Sequence, residues 1–350
     1  MNRRITLSPY STEPQRQFMP HHTLPSRRTL LSTALGGVTA LSLAPLSALA
    51  QAAFPSKTMN FVVPYPAGGA NDMLGRLIGM KMAEVLGGTA MVDNKPGAAA
   101  LLGASVVARA PADGHTLLIG GLATHAASPH MIKADYDPLK DFESVGMIGS
   151  APIIAITFNE SPYKTLKDVV DAARKDPQGV MYGSSGNGSP LHLAGELFVS
   201  QNKIEMTHVP YKGGNAHILD LIGGRVPVIF DTATNCVPLL KAGKVRALAA
   251  GSPARLPDFP NVPTFAEAGF PQFDFSAWYA VFAPAKTPKD VVAKLSTALA
   301  TTLKNPDVIS RLNGVGVTPA SGDAAQLAKF LPIENERIGR LIKTANIKPD

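Results

Sequence analysis

Two glycine-rich turns are the places where this chain could hold an anion. The first, PYPAGGAND at 64–72, follows a strand-like run over 59–63. It opens a segment in which Leu74, Leu77, Ile78 and Met82 fall at helical spacing. The second, GSSGNGSP at 183–190, follows a strand over 180–182 and opens a helix over 192–199. A glycine turn feeding a helix N-terminus leaves several backbone N–H groups directed at one small volume, which favours negative charge. The serines of the second turn add hydroxyl donors. Asn71 and Asp72 are the expected N-caps of the first helix. Neither turn carries the GxGxxG of a dinucleotide site or the Gly-Lys-Ser/Thr of a P-loop.

Other chemistries find less support. Ser185 would need glycine at 183 and 187 to form a hydrolase elbow, and 187 is Asn. His125 and His130 are five apart across Pro129, which matches no familiar metal-ligand pair, so structural or ligand-rim roles are expected. Cys236 is the only cysteine, which excludes an intramolecular disulfide and a cysteine metal site; a small buried hydrophobe is expected. There is no HExxH. No catalytic residue, metal or cofactor is therefore assigned. The net charge of +7 is concentrated at the start: the first fifty residues set five arginines against one glutamate, leaving +3 for the remainder. A small surplus spread along the chain is no nucleic-acid footprint.

The elements that must position these turns alternate strand and helix. Strands are expected over 59–63, 89–93 and 116–120, with helices between them, a rhythm that implies a parallel sheet covered on both faces. Residues 144–158 read as two apolar strand pieces around Ser150, Ala151 and Pro152. A second set follows: a helix over 166–174 capped by Thr165, strands over 208–210 and 226–230, a helix over 216–222, a short helix over 238–242 and a strand over 245–250. A strand over 275–283 holds the lone Trp278. Helices close the chain, the first over 288–303 with Thr287 as its cap, and are expected to pack back on the first domain. Thr124 and His125 follow a strand end, where open α/β sheets place ligands, and Asp231 closes another strand.

The first fifty residues have the composition of an export leader. Arg27 and Arg28 precede a moderately apolar run ending in Ala48, Leu49 and Ala50, a small-x-small cleavage pattern. The paired arginines suggest the twin-arginine route. Translation from Met19 is compatible with this pattern.

Seven stretches in fixed order resemble one family. They are PYPAGGAND at 64–72, NKPGA at 94–98, ADGHTLL at 112–118, YDPLKDF at 136–142, GNGSPLHLAGELF at 186–198, VPYKGG at 209–214 and LKAGKVRAL at 240–248. Together they resemble the Bug-type (TctC-like) receptors, the extracytoplasmic solute-binding component of tripartite tricarboxylate transporters. The resemblance implies a periplasmic-binding-protein fold of type II character, two α/β domains joined by a hinge around a ligand cleft. Domain I would comprise 54–154 with 277–350, domain II 155–276, and the hinge would lie near 154–157 and 275–279. It implies a monomeric periplasmic protein that binds a small carboxylate and hands it to TctA/TctB-like membrane subunits. A ligand-sensing subunit signalling to a membrane kinase and a secreted hydrolase are the alternatives.

In the family the carboxylate is held largely by backbone amides of two loops. Here those match Ala67, Gly68, Gly69, Ala70, Asn71 and Asp72 in the first, with Tyr65 beside them, and Ser184, Ser185, Asn187, Gly188 and Ser189 in the second. Thr124, His125, Asp231 and Trp278 are the expected contacts for the rest of the ligand. Ala70 and Asn71 stand where Thr often precedes the Asp, and Ser189 where Thr is frequent. N-terminal sequencing of the exported protein is expected to start at Gln51; a mature chain that retains Arg27 and Arg28 would overturn the leader assignment.

Overall fold

A computed structural model of the chain describes residues 54–211 and 215–347. The leader over 1–50, and Lys212, Gly213 and Gly214 of the VPYKGG motif, lie outside the described residues. The first part alternates strand and helix as its periodicity requires. β1 (Met59–Val63), α1 (Ala70–Val85), β2 (Ala90–Asn94), α2 (Leu101–Ala108) and β3 (Thr116–Gly121) form a parallel β2–β1–β3 array. Leu74, Ile78 and Met82 of α1 are fully buried beside Phe61 and Val63 of β1. Each such side chain contributes about 1.5–3 kcal/mol by leaving water. A π-helical turn (Ala123–Ala127) and α3 (Ser128–Met131) follow β3 directly.

β4 (Phe142–Phe158) is one continuous strand of seventeen residues where two pieces were expected. Its first part, Phe142 to Pro152, pairs with β9 (Ser276–Pro284); from Ile153 onward it pairs with β7 (Val228–Thr232) and β8 (Val245–Ala250). Pro152 cannot donate to a ladder, and it sits where the partners change. The signal that suggested a break therefore marks a handover, with the backbone still extended.

Between β4 and β8 lie α4 (Leu166–Lys175), β5 (Met181–Ser184), α5 (Pro190–Asn202), β6 (Thr207–Pro210), α6 (Ala216–Ile222), β7 and α7 (Ala233–Lys241). Strands β6, β5 and β7 run parallel. Thr165 caps α4 in a reciprocal capping box with Asp168, as expected. α7 begins directly at the end of β7 and holds Pro238 in its interior, so the short helix expected over 238–242 is the last part of a longer one. After β9 come α8 (Lys289–Leu303), α9 (Pro306–Gly314), β10 (Thr318–Pro319) and α10 (Ala324–Thr344). α8 packs on α1 and β4, and α10 on β4 and the π turn. Thr287 does not cap α8; its hydroxyl donates to the Pro284 carbonyl at 2.8 Å and Pro288 takes the cap position.

The architecture is thus α/β, with one half of the sheet ordered β2–β1–β3–β9–β4 and the other β4–β7–β5–β6. Both faces of each half are buried, which is why its strands read as near-continuous apolar runs. Gly121 ends β3 opposite Tyr279 of β9, and a Cβ there would stand 2.1 Å from the Trp278 carbonyl oxygen. Gly121→Ala is expected to cost about 1–3 kcal/mol, because backbone rather than a movable side chain is in the way. Denaturant unfolding checks this; a midpoint equal to the parent's would mean the β3–β9 approach is looser than described.

Candidate functional site

The ends of the parallel strands converge on one cleft of about 390 Å³. After β1 it is walled by 65–69 and Asn71, and at the end of β3 and just beyond by 120–123. The start of β9, which runs antiparallel to β3, adds Ala277, Trp278 and Tyr279. On the opposite wall stand Ser185 after β5, Pro190 and Leu191 at the start of α5, and Asn215. Thr232, Thr234 and Asn235, where β7 turns into α7, complete it. None of these wall residues is charged at neutral pH.

The donors offered to the cleft are helix ends. α1 starts at Ala70 after an extended Gly69, and α7 starts at Ala233 after an extended Thr232; neither has a side-chain cap. α4, α9 and α10 are each capped by their own Thr165, Asn305 and Asp323. α2, α3, α6 and α8 also lack a side-chain cap; of these only the seven-residue α6 meets the cleft, through its N-cap residue Asn215. The bare N–H groups of α1 and α7 carry the positive end of each helix dipole.

Beneath each of these two ends lies a buried carboxylate. Asp72 is the third residue of α1, not its cap, and reaches back to accept from the Gly68 N–H at 3.0 Å. It also accepts from Arg76 Nε at 3.0 Å and from Asn94 Nδ2 at 3.0 Å. Burial alone would raise its pKa, but these donors and the Arg76 charge hold it below the usual carboxylate range. Asp231 is fully buried, with Oδ1 accepting from the Thr232 N–H at 2.6 Å and Asn235 Nδ2 at 3.0 Å, and Oδ2 facing His217 Nε2 at 2.9 Å.

The expected site residues divide accordingly. Tyr65, Ala67, Gly68, Gly69, Asn71, Ser185 and Trp278 stand on the cleft wall. Burial raises the phenol pKa of Tyr65. The indole N–H of Trp278 is buried without an acceptor among the described residues. Ala70 contributes the first helical backbone unit of α1. Asp72 and Asp231 lie under the wall, their oxygens occupied by protein donors. Thr124 is buried and turned inward, its hydroxyl donating to the Gly121 carbonyl at 3.1 Å. His125 is fully buried and stacked 3.7 Å from Phe282, and burial lowers its pKa to about 3, so it stays neutral.

Ser184, Gly188 and Ser189 support the second loop from behind. Ser184 is buried with its hydroxyl 2.7 Å from His208 Nε2, the Gly188 N–H donates to His192 Nδ1, and Ser189 caps α5. Asn187 is not among the wall residues. Wall positions beyond the expected set include the β3 end, Asn215, Thr232, Thr234, Asn235 and Tyr279. The end of β7 was visible as a strand end; at the start of β9 Trp278 was expected, but its neighbours Ala277 and Tyr279 were not, because only the antiparallel pairing brings them there. Cys236 is buried, and burial pushes its thiol pKa well up.

Comparison with known proteins gives one consistent result. The model of the tripartite tricarboxylate transporter family receptor matches residues 74–347. Protein BugT of Bordetella pertussis is 30% identical, covering 84% of this chain and 91% of its own. The structure of R. palustris Rpa4515 with adipate superposes with a TM-score of 0.78 at 35% identity, covering 85% of this chain and all of that one. MatC (Rpa3494) from Rhodopseudomonas palustris with bound malate gives a TM-score of 0.74 at 34% identity, covering 83% of this chain and 100% of that one.

The Asp72 network generates a pH test. A carboxyl whose folded pKa is depressed stabilises the fold above its unfolded value near 4, and that contribution is lost as pH falls through the folded value. Asp72→Asn is therefore expected to lower stability at pH 7, with the gap to the parent closing as pH drops below about 4. Urea unfolding across that range checks it; a gap independent of pH would assign the loss to packing rather than charge.

Proposed function

The chain belongs to the tripartite tricarboxylate transporter receptor family, and from that premise we propose that it captures a small carboxylate in the periplasm and delivers it to the membrane subunits of such a transporter. The observation that carries this reading is that the uncapped ends of α1 and α7 open on a cleft with no charged side chain among its described wall residues. A carboxylate supplies the negative charge and the acceptors that those ends lack. The relatives solved with adipate and malate place organic acids in the same fold. One helix end contributes about 0.3–2 kcal/mol to an anion. A hydrogen bond to a charged group nets about 1.5–3 kcal/mol. Three or four such bonds sum to about 4.5–12 kcal/mol before ordering costs, which brackets the about −8 kcal/mol of a micromolar site. An arginine on the wall is not needed.

Capture in this reading includes closure. Domain I is taken as 54–154 with 277–350 and domain II as 155–276. The change of partner along β4 at Pro152 and Ile153 supports a hinge over 154–157 and 275–279. Ligand stabilises the closed state in proportion to its preference for that state. Reversible binding without chemistry is the activity assigned.

A thermal-shift screen against C4–C6 dicarboxylates, tricarboxylates, acidic amino acids and aromatic acids tests the reading. Ligand at 100 times its dissociation constant adds about 2.7 kcal/mol, a visible rise in melting temperature. No rise with any acid, in protein shown by mass spectrometry to be free of ligand, would overturn it. Ala70→Pro is the matched variant. Proline is tolerated at the first helical position, so the fold is expected to survive while one N–H is deleted. Affinity for the acid identified in the screen is expected to fall about 10- to 100-fold. Unchanged affinity by calorimetry would remove α1 from the site.

A further inference from the structure

The junction of β7 and α7 fixes which way the wall's polar side chains face. Asp231 is fully buried and, as a carboxylate, can only accept. Asn235 must therefore turn its NH2 inward to meet Asp231 Oδ1 at 3.0 Å. That leaves Asn235 Oδ1, an acceptor, as the amide's free end on the cleft wall, and no described residue donates to it. The hydroxyls beside it follow the same polarity. Thr232 Oγ1 points its proton to Asp231 Oδ1 at 3.4 Å, so the 2.6 Å contact between Thr232 and Thr234 takes its proton from Thr234. Thr234, which is also on the wall, is hydrogen-bonded to Tyr279, whose hydroxyl then donates to it. The bare N–H groups of α7 stand in the same turn. Donors for a carboxylate and one open acceptor, Asn235 Oδ1, for a neighbouring hydroxyl or amino group are thus side by side.

We infer that Asn235 is the specificity-determining acceptor of this cleft and that Asp231 is the residue that positions it, so that the site prefers carboxylates bearing a hydroxyl or amino donor over their unsubstituted counterparts. The inference rests on the carboxylate reading above. It replaces the expectation that Asp231 meets the ligand itself: Asp231 is fully buried, off the cleft wall, and faces Thr232, Asn235 and His217.

Calorimetric titration of the ligand-free protein with three matched pairs tests it: malate and succinate, 2-hydroxyglutarate and glutarate, 2-hydroxyadipate and adipate. In any pair that binds, the hydroxylated member is expected to be about 5- to 10-fold tighter, the effect of one added neutral hydrogen bond. Asn235→Leu and Asn235→Ala are expected to bring that ratio to about 1, chiefly by weakening the hydroxylated member. Asp231→Asn can donate to Asn235 and lets its amide turn over, so the ratio is expected to fall or invert. A structural defect alone would weaken both members equally. Equal binding of both members by the parent protein overturns the inference, as does a ratio that survives both Asn235 variants. If Asp231→Asn does not fold, the Asn235 variants decide alone. Failure of every acid to bind would instead overturn the carboxylate reading itself.

Discussion

The handover of partners along β4 is the constraint on which the rest depends. One strand pairs with β9 up to Pro152 and with β7 and β8 from Ile153, so it belongs to both halves of the sheet. It runs antiparallel to β9 and β7, so β1 and β3, antiparallel to β9, run in its own direction, while β5 runs with β7 in the opposite one. The loops after β1, β3, β5 and β7 consequently open on the same cleft, together with the start of β9. In open α/β sheets the strand ends are where backbone groups are left for a ligand. The cleft is therefore a consequence of topology, and the side chains on it only tune what enters.

What tunes it is an arrangement used twice. Asp72 and Asp231 each sit beneath the bare N-terminus of a helix that lines the cleft, and each is surrounded by protein donors. A buried carboxylate that is hydrogen-bonded throughout can lock a loop without needing a counter-ion from the ligand. It also sets the direction of every proton around it. Asp72 holds Gly68 and Asn94, fixing the first glycine turn, while Asp231 holds Thr232 and Asn235, fixing the second wall. In the proposed site the acids act by orienting dipoles, which is how two negative groups can lie close to a pocket for a negative ligand.

Much of this was legible in the sequence, for identifiable reasons. The βα alternation showed because each helix has a periodic apolar face, as with Leu74, Ile78 and Met82. The glycine turns showed because their residue types serve few other purposes, and the ordered motif set led to the receptor family to which the chain belongs. Side-chain direction was not legible. Thr124, His125, Asp72 and Asp231 all sit in the segments that build the cleft, yet each faces inward, because a buried partner outcompetes the open wall. Ala277 and Tyr279 were hidden for another reason: they reach the cleft only through pairing of β9 with β3, a contact between residues more than 150 positions apart. The break suggested by Pro152 shows a third kind of limit, since an extended backbone tolerates proline wherever no partner needs its N–H.

A wall without charged side chains among its described residues also suits a receptor that must let go. A buried guanidinium facing a carboxylate forms a strong bidentate pair, and separating it leaves two charges to be solvated at once. Helix ends and amides lose less on release, because water replaces the ligand oxygen at each N–H with little change in charge. Affinity then comes from several modest bonds that are complete only when both walls touch the ligand. α1 lies on one half of the sheet and α7 on the other, so in the closure proposed above that condition is met when the halves are drawn together. On the same proposal, opening divides the set of bonds between the two walls, and each share alone holds a small acid less well. Capture without a cation and release by moving one wall are then two sides of one proposed geometry.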